Sequence, residues 1–184
     1  MSSWHIRYAA HMLRQGGLIA YPTEAVFGLG CLPDQLETIK RLLEIKQRPV
    51  EKGLILIAAD FSQLATYISP LDNDIVQKIQ ASWPGPNTWI VPTPAKTSPL
   101  IRGDFHSIAV RVSAHPVVRE LCHQCQSPII STSANITGQQ MSYSALQVRL
   151  HFKNQLDYIL NAPLGDSSKP SVIRDALTDQ IIRA

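Results

Sequence analysis

Apolar positions along this chain follow two rhythms that take turns. Across residues 6–15 they recur every three or four residues, which predicts a helix, with Ser3 placed to cap it and Gly16 just past its end. Residues 18–21 form a short apolar run that predicts a strand. Asp34 and Glu37 have capping-box spacing, and Leu36, Ile39, Leu42 and Leu43 supply the stripe of a helix that runs out near Lys46. Residues 53–59 are unbroken apolar over a strand's length, which predicts a strand buried on both faces. A helix over 72–83 is stopped by Pro84-Gly85-Pro86. Strands follow at 87–91, 107–112 and 128–131, with a helix over 117–124 between the last two. A helix at 144–152, a strand at 156–160 and two short strands at 171–174 and 180–183 complete the pattern. Alternating helices and strands, some strands adjacent, predict a mixed, twisted sheet flanked by helices: one layered α/β domain over residues 1–184.

Composition narrows this picture without changing it. The 184 residues suit one domain, and 45 % apolar with 17 % charged residues argue against disorder. No apolar run approaches the roughly 18 to 20 residues that span a bilayer, so no membrane attachment is expected. The N-terminus lacks the apolar core of a secretion signal. Cys31, Cys122 and Cys125 make an odd count with no disulfide framework, and the expected compartment is the cytoplasm. Cys122 and Cys125 have CxxC spacing, but no second pair completes a zinc site, and the spacing fits one face of a helix starting after Pro116. The net charge of +3 comes from cations scattered along the chain, so any preference for anions must arise from folding them together.

Three polar clusters interrupt the apolar rhythm. Tyr21-Pro22-Thr23-Glu24-Ala25-Val26-Phe27-Gly28-Leu29-Gly30 follows the first strand and presents polar groups at a sheet edge, where open α/β sheets bind ligands; alone it could be a tight strand-to-helix connection. Lys46, Arg48 and Lys52 put three cations within seven residues, offset only by Glu51. Cations at a helix C-terminus can simply complement its dipole, but three on one loop beside a buried strand suit a polyphosphate. Ser131-Thr132-Ser133-Ala134-Asn135-Ile136-Thr137-Gly138 leaves a strand with hydroxyls, an amide and free backbone N–H groups. It is either an ordinary serine-rich turn or a phosphate or carboxylate site. No His or acid adjoins these serines to activate one as a nucleophile, and neither a Walker nor a Rossmann phosphate loop is present. Arg111 lies within an apolar strand, pointing to solvent or paired in a cleft. Trp83, in a proline-rich turn, is read as packing.

Taken in order, the segments YPTEAVFGLG, KQRPVEKGLIL, WPGPNT, AVRVSAHP, STSANITG and PSVIRDA resemble the YrdC-like family of L-threonylcarbamoyladenylate synthases, in its short, single-domain form. The resemblance runs from residue 21 to residue 176. It implies a mixed α/β sheet around a deep, positively charged cavity. It also implies an enzyme that joins L-threonine, bicarbonate and ATP, with Mg2+, into threonylcarbamoyl-AMP and pyrophosphate. Downstream tRNA threonylcarbamoyltransferase proteins would use that product to modify tRNA beside the anticodon, and binding of RNA or tRNA by this chain is possible. By the same resemblance, Lys46, Arg48 and Lys52 hold the phosphates, with Lys46 and Arg48 the catalytic pair. Ser107, Ser133, Asn135 and Arg183 complete the ATP site; Thr23, Arg111 and Ser131 bind threonine.

Two departures bear on the threonine pocket. Many relatives carry Thr where this chain has Ala25, and some longer ones carry His where Ile57 falls. Two other readings stay open. One is an RNA-binding or ribosome-assembly factor, though no basic stripe with aromatics is visible. The other is a carbamoyl-transfer domain of a larger enzyme, against which the self-contained length and the lack of zinc-finger cysteines argue.

Overall fold

The computed structural model describes residues 3–167 and 169–184. Six helices, α1 (Ser3–Arg14), α2 (Leu36–Lys46), α3 (Asn73–Ala81), α4 (Pro99–Arg102), α5 (Pro116–Cys125) and α6 (Ala145–Phe152), flank one sheet. Its strands are β1 (Ile19–Pro22), β2 (Phe27–Gly30), β3 (Ile55–Ala58), β4 (Asn87–Pro92), β5 (Ser107–Val112), β6 (Ile129–Ser133), β7 (Tyr158–Ile159), β8 (Val172–Asp175) and β9 (Ile181–Arg183). Their spatial order is β7-β1-β2-β6-β3-β5-β4-β8-β9. The pairs β1–β7, β3–β5 and β4–β8 are parallel and the others antiparallel, so the expected mixed α/β sheet is present. No helix among the described residues is long and apolar enough to cross a membrane.

The two-residue period of a strand sorts the apolar side chains into two layers. On one face, Ala20, Phe27, Leu29, Leu56, Ala58, Val110, Val112 and Ile130 pack with Ile39, Leu42 and Leu43 of α2 and with Val148 and Phe152 of α6. On the other, Ile19, Tyr21, Ile57 and Ile129 pack under Ala9, Ala10 and Leu13 of α1 and Val117, Val118, Leu121 and Cys122 of α5. The run at 53–59 is buried on both sides because β3 lies mid-sheet between β6 and β5. Cys122 belongs to this core, its Sγ 3.5 Å from the Ile57 carbonyl oxygen.

Several expectations need correction. The first cluster is not a strand-to-helix connection: residues 23–26 turn an antiparallel hairpin, and β2 pairs with β1 from Pro22↔Phe27 to Ile19↔Gly30. Ser3 lies inside α1 rather than capping it. The Asp34–Glu37 capping box does not form. The residue before α2 is Gln35, whose amide nitrogen donates to the Leu13 carbonyl at 2.9 Å and ties α2 to the end of α1. The strand at 156–160 shrinks to Tyr158–Ile159, while β6 extends to Ser133.

The glycines of β2 answer to Tyr21. Its ring, fully buried, lies over the side of β2 where Gly28 and Gly30 carry no side chain. A Cβ on Gly30 would stand 2.9 Å from the ring and, closer still, against the Ile130 backbone carbonyl. A Cβ on Gly28 would meet its nearest neighbour, a Thr23 methyl, at 3.3 Å. Gly30→Ala is therefore expected to cost about 2–3 kcal/mol or more by overpacking, and Gly28→Ala clearly less. Urea unfolding of the two variants checks this; equal losses would contradict it.

Candidate active site

The cavity occupies the part of the α1/α5 face that those helices leave open. Ile55 and Ile57 share a face of β3, and the register Ile57↔Arg111 and Ile55↔Ser131 brings β5 and β6 side chains to the same side. Ser107, Ala109 and Arg111 of β5, with Ser131 and Ser133 of β6, thus line a cavity of about 370 Å3. Its far wall is apolar, from Ile90, Ile173 and Ile182. At the rim stand Phe105, Lys169 and Arg183.

The hairpin turn supplies a second wall. The Thr23 hydroxyl donates to the Val26 carbonyl at 2.8 Å, closing the turn and presenting Glu24 inward. The Glu24 Oε1 accepts from the Ser113 hydroxyl at 2.6 Å and the Ala114 N–H at 3.1 Å; its Oε2 lies 3.2 Å from an Arg111 terminal nitrogen. Burial alone would raise the Glu24 pKa, but the Arg111 charge and these hydrogen bonds outweigh it and hold it below the ordinary value. Arg111, open in the sequence between solvent and cleft, is in the cleft, 8 % exposed. The segment after β7 is stapled onto the same turn, with Gly165 N–H donating to the Thr23 carbonyl and Ser167 N–H to that of Glu24.

Lys46 and Asn135 stand behind the wall rather than in it. Lys46 is 2 % exposed, and its ammonium donates to the backbone carbonyls of Ser133 and Asn135, the latter at 2.7 Å. In return the Lys46 carbonyl accepts from both the N–H and the hydroxyl of Thr137, each at 2.9 Å. The Asn135 amide donates to the Ile136 and Gln139 carbonyls, while its oxygen accepts from the Ser133 hydroxyl at 2.7 Å. The serine-rich segment is both an ordinary internally bonded turn and a wall of the cavity, with Lys46 as its foundation.

The remaining charge is lopsided. Arg48, Lys52, Arg102, Arg111, Lys169 and Arg183 line the cavity with Glu24 as the one carboxylate among the described residues. Backbone carbonyls aim these cations: Arg48 donates to Gly53, Arg102 to Thr97 and Phe105, and Arg183 to Ser171. Among the described residues, none of those three arginines is paired with a carboxylate. Partial burial, then the charge of Arg183, lowers the pKa of Arg48; partial burial, then Arg111, lowers that of Arg183. The guanidinium groups repel one another across the cavity, and a bound polyanion would relieve them.

Of the residues expected from sequence, Thr23, Arg48, Lys52, Ser107, Arg111, Ser131, Ser133 and Arg183 meet at the cavity, and Lys46 and Asn135 support it. Glu24, Arg102 and Lys169 were not anticipated. Arg102 was readable: Ser98 caps α4, Pro99 opens it and Gly103 ends it, so a helix-terminal Arg follows. Glu24 stood in plain view, a carboxylate inside an otherwise neutral motif.

A mixed α/β sheet with a cation-lined cavity on one face has the features of a site for small anionic molecules. The family model described as Telomere recombination, covering the Sua5, YciO and YrdC proteins, matches residues 11–184. The chain belongs to that family. It is 46 % identical over 188 residues to the threonylcarbamoyl-AMP synthase of Saccharophagus degradans, covering 100 % of this chain and 98 % of that one. It superposes on P. abyssi Sua5 complexed with L-threonine with a TM-score of 0.89 at 32 % identity, over 95 % of this chain and 52 % of that one. The chain thus spans about half the length of that Sua5 protein. E. coli YciO superposes with a TM-score of 0.85 at 28 % identity, over 99 % of this chain and 89 % of its own.

The buried Lys46 leaves a mark on stability. Burial, then the Arg48 charge, pulls its pKa from 10.5 down to about 7. Between those values the unfolded chain holds a proton that the folded protein lacks, so this residue makes stability rise with pH across the window and level off below about 7. The slope is at most about 1.4 kcal/mol per pH unit. Lys46→Met is expected to abolish that component, so wild-type stability relative to the variant should rise from pH 7 to 9 in urea titrations. Parallel curves would contradict it.

Proposed function

We propose that the protein is an L-threonylcarbamoyladenylate synthase, forming threonylcarbamoyl-AMP and pyrophosphate from L-threonine, bicarbonate and ATP. The observation that carries this reading is the convergence of Arg48, Arg102 and Arg183, none of them paired with a carboxylate among the described residues, on a cavity that Arg111 and Thr23 also line. Its volume is that of a small-molecule site and gives a nucleic-acid duplex no room, which favours this reading over an RNA-binding factor. The kinship with the S. degradans synthase and with Sua5 solved with L-threonine supports it.

The chemistry asks mainly for positioning and charge neutralisation. The threonine amine adds to the carbon of CO2 supplied by bicarbonate and loses a proton, giving a carbamate. A carbamate oxygen attacks the α-phosphorus of ATP, and the bond from that phosphorus to the α,β-bridging oxygen breaks with pyrophosphate leaving. Arg48, Lys52 and Arg183 hold the phosphates, with Ser107, Ser131 and Ser133 lining the path between them and the amino acid. Arg111 takes the threonine carboxylate by a charge-assisted contact, and Thr23 stands beside the amino acid. Lys46 fixes the turn from behind, through the carbonyls of Ser133 and Asn135. Glu24, the one carboxylate of the lining among the described residues, is engaged by Ser113, Ala114 and Arg111, so those residues offer no dedicated magnesium cage. Mg2+ therefore enters as part of the MgATP substrate. The product passes to tRNA-modifying proteins, and the reaction belongs in the cytoplasm.

Pyrophosphate release from MgATP by the purified protein, with L-threonine and bicarbonate each added or withheld, tests this. Release that needs both is expected; no release from folded protein under any combination would overturn it. Arg48→Ala should retain the fold and lose at least about 100-fold in turnover, as removal of a donor to a developing charge does. Normal turnover would remove Arg48 from the phosphate site.

A further inference from the structure

We propose that Glu24 is a positioning residue that sets the direction of Arg111 and so governs recognition of the amino acid's carboxylate. The proposal rests on the reading of Arg111 as the carboxylate-binding group. Three observations converge on it. Glu24 is 6 % exposed and held on three sides: Oε1 by the Ser113 hydroxyl and the Ala114 N–H, Oε2 by Arg111 at 3.2 Å. Ser113 is itself fixed, since its hydroxyl oxygen accepts the N–H of His115 at 3.1 Å, at the start of α5. The carboxylate is thus anchored to the strand-to-helix joint just beyond Arg111, on the strand that carries it.

Among the described residues Arg111 has no other anchor. Its Nε is buried without a hydrogen-bond partner, and Glu24 is its ion-pair partner among the described residues. Its guanidinium, on a long, rotatable stem, would otherwise be pushed away from Arg183. Glu24 Oε2 also makes no well-aligned hydrogen bond and is shielded from solvent, turned toward Arg111. A buried pair with unspent donor and acceptor tolerates an incoming carboxylate: the ligand completes the arginine's hydrogen bonds while Glu24 holds its position. Glu24 also neutralises Arg111 in part, so this end of the cavity suits a single carboxylate while the unpaired Arg48 and Arg183 keep the stronger pull for phosphates.

The test is calorimetric titration of the purified full chain with L-threonine and with L-threoninamide, which keeps the amine and lacks the carboxylate. Wild-type protein is expected to favour threonine by about tenfold or more, as a charge-assisted pair supplies. Glu24→Gln, close in shape but uncharged, should reduce that preference to within about threefold while ATP affinity stays within about twofold. Glu24→Asp, which keeps the charge, should restore part of the preference. A folded Glu24→Gln protein with the wild-type preference would overturn the proposal, because a merely structural role would leave the ratio of the two ligands unmoved. Should Glu24→Gln fail to fold, Ser113→Ala decides, since it removes one anchor and leaves the charge; an unchanged preference there would overturn the proposal equally. A wild-type protein indifferent between the two ligands would overturn it together with the Arg111 assignment. Threonine-dependent pyrophosphate release in that same preparation would then show that the synthase reading survives.

Discussion

Repulsion among like charges is the constraint around which this site is organised. Beyond partial burial, Arg183 lowers the proton affinity of Arg48 and Arg111 lowers that of Arg183, yet of the three only Arg111 has a carboxylate beside it among the described residues. Such an arrangement is costly in the free protein and is tolerated because backbone carbonyls, fixed by strands and turns, hold the guanidinium groups in place. A polyanion in the cavity would relieve this crowding. A site built this way needs no flexible phosphate loop: the sheet itself supplies the rigidity, and the ligand supplies the missing charge.

The same logic explains why a lysine is buried at the base of the serine-rich turn. Lys46 gives up much of its basicity to sit under the carbonyls of Ser133 and Asn135, where it converts a strand end into a fixed platform. Tyr21 and the β2 glycines do the corresponding work on the other side. Packing the ring against bare backbone lets the hairpin turn reach the cavity with Thr23 and Glu24. Each wall is thus a loop made rigid by one buried polar or aromatic side chain.

Much of this was legible in the sequence, and the misses have physical causes. The long apolar stretch of β3 declared itself because burial on both faces demands unbroken hydrophobicity. The strand β2 was hidden because Phe27-Gly28-Leu29-Gly30 has glycine where alternation would show a polar or apolar side chain. The Asp34–Glu37 pattern failed because Gln35 found a stronger use across the chain, bonding the end of α1. The residues of the cavity were visible as polar clusters, but their division into wall and foundation was not. Whether Lys46 faces the ligand or its own turn depends on where Ser133 and Asn135 point their carbonyls, which periodicity does not encode. Glu24 went unread because its meaning comes from Arg111, Ser113 and Ala114, close to ninety residues away.

The central claim is that unpaired positive charge, more than shape, holds the nucleotide. Calorimetric titration with adenosine, AMP and ATP at two salt concentrations tests it most directly. The account predicts affinity that climbs with each added phosphate and falls as salt rises, most steeply for ATP. Adenosine binding as tightly as ATP, with no dependence on salt, would contradict it.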